Sequence, residues 1–230
     1  MKNIKTIFFD LDNTLFDHSR AERATLQGLI ESHPTVFANI ESALFLTTYD
    51  RINTMLWKKM GDGKITSAEL KVLRFELTFS ELNLGPVDFI DFSSQYLEIY
   101  SSQTFAMPNV VETLNYLTPK FKLGLLSNGF ARVQENKLTK LNLGAYFEPR
   151  IYSENVGVAK PHAGIFHYAA EQIKCNVREL VYVGDSYEND IVGATAAGWK
   201  AIFFNPFANA TPNGLAEFEI ADLRELQEIF

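Results

Sequence analysis

The sequence predicts an α/β fold, a parallel sheet flanked by helices, with an all-helical insertion after the first strand. Three observations predict it. Short β-rich apolar runs recur along the chain, most are followed by a helix-like pattern, and the stretch 17–104 carries no strand signal. Strands buried on both faces read as continuous apolar runs, and strand–helix alternation implies right-handed crossovers.

The first run is Thr6–Phe9, which ends in acidic residues. Three helical stripes follow in 17–104. Phe45, Tyr49, Ile52, Leu56 and Met60 recur at helical spacing. Leu70, Leu73 and Leu77 do so behind a capping-box pattern from Thr66 to Glu69. Phe89, Phe92, Tyr96 and Ile99 form the third. Gly61-Asp62-Gly63 and Leu84-Gly85-Pro86 are natural breaks between these helices. Strand signals resume at Lys122–Leu126, more weakly at Arg150–Ser153, then at Leu180–Val183 and Lys200–Phe204. Pro161 suits the first turn of a helix whose apolar face is Ile165, Phe166, Ala169, Ala170 and Ile173. The expected division is therefore a core of 1–16 and 105–230 and an inserted helical module of 17–104. The insertion leaves the sheet at the carboxyl end of a strand, where such folds bind ligands, so it is expected over the site.

Composition limits the function classes. The chain has 230 residues, 47% of them hydrophobic and 21% charged, an ordinary globular balance. Acids outnumber bases 28 to 21, for a formal charge of -7. That argues against a partner that is polymeric nucleic acid, because phosphate backbones select basic surfaces. A small anionic substrate held by a metal and one lysine is not excluded. The single cysteine, Cys175, can form no internal disulfide and reads as a packing residue. Asp10 and Asp12 interrupt the first apolar stretch before it could serve as a signal-peptide core, and no run reaches the length of a membrane span. The expectation is a soluble cytoplasmic protein with no membrane partner, of unspecified oligomeric state.

Four strand ends carry chemistry. In Phe8-Phe9-Asp10-Leu11-Asp12-Asn13-Thr14, two carboxylates lie one residue apart just beyond an apolar strand. Extended backbone would project both to one side, where a hard cation such as Mg²⁺ relieves their repulsion. An EF-hand loop also begins this way, but no glycine follows at its sixth position. Ser127-Asn128-Gly129 ends the second main run, a turn able to offer a hydroxyl and backbone N–H groups to phosphate. Lys160 stands before Pro161, and Gly184-Asp185 ends a third run with Asp190 five residues on. Each motif alone is commonplace, since most such turns and lysines are structural or solvated. Their order along one sheet is not.

In that order the motifs resemble those of the haloacid dehalogenase (HAD) superfamily, over essentially the whole chain. Asp10-Leu11-Asp12-Asn13-Thr14 is similar to its first motif, Ser127 to the second, Lys160 to the third, and Gly184-Asp185 through Asn189-Asp190 to the fourth. The resemblance implies a Rossmann-like core with a helical C1 cap in the insertion. More narrowly, Leu126–Phe130 and Tyr152–Pro161 resemble the YjjG-like 5′-nucleotidases, which act on nucleoside monophosphates, pyrimidine ones included.

The resemblance further implies a magnesium-dependent phosphatase. Asp10 would be the nucleophile, transiently phosphorylated, and Asp12 the general acid and then base. Mg²⁺ would bind Asp10, the Asp12 carbonyl and Asp185, with Asp190 a further ligand or the acid that orders a metal-bound water. Ser127, Asn128 and Lys160 would hold the phosphoryl group, and Thr14 would support the nucleophile loop. Phe16, His18, Tyr49 and Trp57 are candidates for choosing the substrate, although Tyr49 lies on a helical stripe that favours core packing. Asp12 argues against a dehalogenase, since halide leaves without a proton. A phosphatase for sugar phosphates or phosphoglycolate, a phosphomutase, or a non-catalytic regulatory protein remain alternative readings.

Overall fold

The computed structural model describes residues 1, 3–208 and 214–230. These form two compact units, Met1–His18 with Thr104–Phe230, and Ser19–Gln103.

The first unit is built on a six-stranded sheet, every neighbouring pair parallel. Its strands are β1 (Thr6–Phe9), β2 (Lys122–Ser127), β3 (Arg150–Tyr152), β4 (Leu180–Gly184), β5 (Lys200–Phe204) and β6 (Phe218–Ile220), in the spatial order β3-β2-β1-β4-β5-β6. The chain winds one way from β1 to β3 and then crosses to β4 on the other side of β1. That reversal makes the carboxyl end of β1 the topological switch point, where open α/β sheets bind ligands. Phe9 pairs in register with Leu125 on one side and Val183 on the other, so β1, β2 and β4 end side by side.

The apolar runs become strands because both faces are covered. All four residues of β1 and all five of β4 are buried. Phe8, Phe166, Tyr182 and Trp199 interlock on one side, with the Trp199 and Phe8 rings 5.1 Å apart. Gly124 lets β2 approach β1, since a Cβ there would lie 2.4 Å from the Phe8 ring.

Differences from the sequence reading are local. β3 stops at Tyr152, and Ser153 opens a short helix. Pro161 precedes the next helix, which starts at Ala163 with His162 Nδ1 accepting the Gly164 N–H at 3.0 Å. β6 has no strand signal in the sequence, because it is an edge strand of three residues, two of them exposed, and carries no continuous apolar run.

The second unit is helical. It holds most of α1 (His18–Ser32) and all of α2 (Ser42–Gly61), α3 (Ser67–Glu81) and α4 (Phe89–Ser101). The Thr66–Glu69 capping box is present at the start of α3. Edge-to-face aromatic pairs bind its core, among them Phe37–Phe45 and Phe75–Phe92, both at 4.9 Å. The buried face of α3 is Leu70, Arg74, Phe75, Thr78 and Phe79, so of the expected leucine stripe Leu70 is buried and Leu73 half-buried. Leu77 is exposed, while the rings of Phe75 and Phe79 lie in the interior. No described helix is long and apolar enough to cross a membrane.

Candidate active site

The site begins where β1 runs out. The Asp10 N–H still donates to the Val183 carbonyl at 2.9 Å, so the strand's hydrogen bonding carries this carboxylate to the sheet's edge. The next residues turn tightly. Leu15 and Phe16 both donate to the Leu11 carbonyl, and Asn13 takes a left-handed φ of 57°, which asparagine tolerates better than most residues.

Three acids converge there. One carboxylate oxygen from each of Asp10, Asp185 and Asp190 lies within 4.8 Å of the other two. Asp185 follows β4 directly, and Thr14 Oγ1 stands 3.5 Å from it. Asp190 is turned back by a π-helical turn over Tyr187–Val192, and its Oδ2 accepts the Ser186 N–H at 2.9 Å. Gly184 makes room for this, since a Cβ there would lie 2.3 Å from Asp190 Oδ2.

Lys160 is the counter-charge. Its buried ammonium donates to Asp10 at 2.7 Å, to Asp190 at 2.6 Å and to the Tyr182 hydroxyl at 2.8 Å. Tyr182 in turn donates to the Leu126 carbonyl at 2.6 Å. The loop carrying Lys160 is fixed by Asn128, whose side-chain amide pairs with both the N–H and the carbonyl of Lys160, at 2.8 and 2.9 Å.

Asp12 is held apart from this cluster. It is bound from α6 (Ala131–Lys140), where Lys137 Nζ donates to Oδ1 at 2.5 Å and Gln134 Nε2 to Oδ2 at 2.8 Å. The same Gln134 nitrogen donates to Ser127 Oγ at 2.7 Å.

These surroundings set the acids apart electrically. Burial pushes the Asp10 carboxyl up to about 7, Lys160 opposing this and Asp190 and Asp12 adding to it. Burial, then Asp190 and Asp10, push Asp185 up to about 8. Burial also acts on Asp12, but Lys137 and His18 outweigh it and hold that carboxyl below its ordinary range. Burial works against the Lys160 ammonium, yet Asp10 and Asp190 raise it above the usual lysine value. The all-oxygen donor set at Asp10, Asp185 and Asp190, three acids against one lysine, suits a hard divalent cation.

Comparison with known proteins decides the family. A model of the haloacid dehalogenase-like hydrolases matches residues 4–198. The chain belongs to this family. The HAD assignment agrees with the relatives. Pyrimidine 5′-nucleotidase YjjG of Escherichia coli (strain K12) is 32% identical over 97% of this chain and 96% of its own. A glyceraldehyde 3-phosphate phosphatase of Methanothermobacter thermautotrophicus is 29% identical over 98% of this chain and 99% of its own. A crystal structure of the HAD-hydrolase YfnB from Bacillus subtilis, bound to magnesium, gives a TM-score of 0.89 at 27% identity and covers 99% of both chains.

Against the HAD motifs, the structure brings together Asp10, Lys160, Asp185 and Asp190, with Ser127 at the neighbouring strand end. It changes other expectations. The Asp12 carboxylate does not share the Asp10 cluster, and α6 supplies its partners instead. The Asn128 side chain is engaged with the Lys160 backbone through its carbonyl oxygen and one amide hydrogen, which gives it a bracing role in the Lys160 loop. Phe16 is fully buried with the Lys137 ammonium 4.5 Å from its ring centre, which is a packing role. His18 is half-buried and acts on Asp12 electrostatically. Tyr49 is fully buried among Phe45, Phe75 and Tyr96, while Trp57 is half-buried on α2. Gln134, Lys137 and Tyr182 also belong to the site, and no motif in the sequence marks them. Polar residues on a helix read as a solvated face, and a tyrosine in a strand reads as core.

Proposed function

We propose that this HAD hydrolase cleaves phosphomonoesters, nucleoside 5′-monophosphates in particular, with Asp10 as the nucleophile. The observation that carries the reading is the separation of the two motif-one acids. Asp10 faces Lys160 and two further carboxylates, while Asp12 keeps its own donors on α6. Two carboxyls in different environments can take different roles.

In this reading Asp10 attacks phosphorus and becomes an aspartyl-phosphate as the P–O bond to the leaving group breaks. Asp12, which must enter the step protonated, gives that proton to the departing alkoxide and later takes one back from the water that hydrolyses the intermediate. Lys160 holds a phosphoryl oxygen and offsets the charge of Asp10, and the Ser127 hydroxyl offers a further donor. Asp10, Asp185 and Asp190 are the residues that would hold Mg²⁺. Bound there, the ion would supply charge neutralisation between the carboxylates and the phosphate.

The nucleotide preference draws on the likeness to YjjG. The likeness to a glyceraldehyde 3-phosphate phosphatase supports a second reading, a small phosphorylated metabolite. A phosphate-release panel with Mg²⁺ tests both. Preferred cleavage of nucleoside 5′-monophosphates is expected, and a triose or sugar phosphate cleaved well while nucleotides are ignored would reverse the order. Asp10→Asn should fold and lose turnover. Near wild-type turnover in that variant would remove Asp10 as nucleophile.

A further inference from the structure

We infer that Gln134 and Lys137 are positioning residues that fix the Asp12 carboxylate for proton transfer and tie it to Ser127. The inference rests on the reading of Asp12 as acid and base.

The two side chains lie three apart on α6, so they share one helix face. Both are wholly buried, Lys137 at 1% exposure and Gln134 at 0%. Lysine is almost never so buried without a partner, because desolvating an ammonium is costly. Here it meets Asp12 Oδ1 on one side and the face of Phe16 on another. The pairing is local to the nucleophile loop, since Asp12 and Phe16 also pair through the backbone.

Gln134 closes the other side. In its ionised form the Asp12 carboxylate can only accept, so the nitrogen of the amide faces it. That nitrogen's two hydrogens match its two acceptors, Asp12 Oδ2 and Ser127 Oγ. Gln134 Oε1 is consequently buried with no hydrogen-bond partner among the described residues. Gly129 leaves the space, since a Cβ there would lie 2.2 Å from the Gln134 nitrogen. Both oxygens of Asp12 are thus held by side chains that cannot themselves move into solvent. The Asp12 side chain remains 28% exposed. An acid/base group needs this fixity, because proton transfer depends steeply on aim.

The test is steady-state kcat/KM for Lys137→Met, Lys137→Arg and Gln134→Met with two substrates. A nucleoside 5′-monophosphate leaves as an alkoxide and needs a proton, whereas p-nitrophenyl phosphate leaves as a stable phenolate. Lys137→Met should lose about 100-fold on the nucleotide, as a misplaced catalytic group does, and at least tenfold less on p-nitrophenyl phosphate. The loss should fall in kcat rather than KM, and Lys137→Arg should recover most of it. In an Asp12→Asn background, assayed with p-nitrophenyl phosphate, Lys137→Met should add less than about twofold, since coupled residues are not additive. If Lys137→Met does not fold, Gln134→Met carries the same substrate contrast. Equal losses on both substrates, or a full further loss in the Asp12→Asn background, would overturn the inference. Wild-type nucleotide turnover by Asp12→Asn itself would instead remove the acid/base reading beneath it.

Discussion

Tyr182 places its hydroxyl 2.8 Å from the Lys160 ammonium, accepting from it while donating to the Leu126 carbonyl. Burial, followed by the charges of Asp190, Asp10 and Asp185, raises this phenol well above its ordinary range, so it stays neutral. A strand tyrosine thereby anchors the lysine that faces Asp10. Tyr182→Phe leaves the Leu126 carbonyl buried without this donor, at a cost of about 1–3 kcal/mol. Urea unfolding should register that loss. Phosphatase assays should find kcat/KM reduced but not abolished, because Asp10 and Asp190 still hold Lys160. Unchanged stability would mean that the hydroxyl contributes nothing.

Gly184→Ala tests how Asp190 reaches the cluster. The added methyl would lie 2.3 Å from Asp190 Oδ2, which accepts the Ser186 N–H and cannot retreat without losing it. Weaker divalent-cation affinity is expected, read by titrating Mg²⁺ against activity and against melting temperature. An unaltered Mg²⁺ midpoint would show that Asp190 matters little to cation binding.

Cation binding should depend on pH. Asp10 is pushed up to about 7 and Asp185 to about 8. Unfolded aspartate titrates near about 3.9, so between these values the folded, metal-free protein binds more protons than the unfolded chain. Its stability therefore falls as pH rises from about 4 through 8. A cation at the three carboxylates removes this penalty. Mg²⁺ should raise the melting temperature more at pH 8 than at pH 5, and chelation should matter most at the higher pH. An equal gain at both would count against a cation at these acids.

The helical unit offers a control. Thr66 accepts the Glu69 N–H, and the Glu69 carboxylate returns to the Thr66 N–H at 2.7 Å. Thr66→Ala should lower unfolding free energy by about 1 kcal/mol, the usual cost of a lost N-cap, with turnover per folded molecule unchanged. A larger loss would mean that α3 depends on this cap more than on its aromatic packing.

The sequence by itself determined the main strands of the sheet and the order of the acids on it. β1, β2, β4 and β5 follow continuous apolar runs, and a parallel sheet buried on both faces requires such runs. Once the runs are in place, residues at strand ends reach the same edge by connectivity alone. Asp10, Ser127 and Asp185 were legible for that reason. Side-chain partners were not. The buried face of α3 takes in Phe75 and Phe79 beside Leu70 and leaves Leu77 outside, a choice between neighbouring helix faces that leucine spacing does not make. Asn128 reads as a turn residue, yet it braces the Lys160 loop. Nothing in the local sequence marks Gln134 and Lys137, and only the packing of α6 turns them inward onto Asp12. A local pattern records whether a residue is apolar. It does not record which buried charge a polar residue will meet, because that is fixed by how separate elements approach in three dimensions.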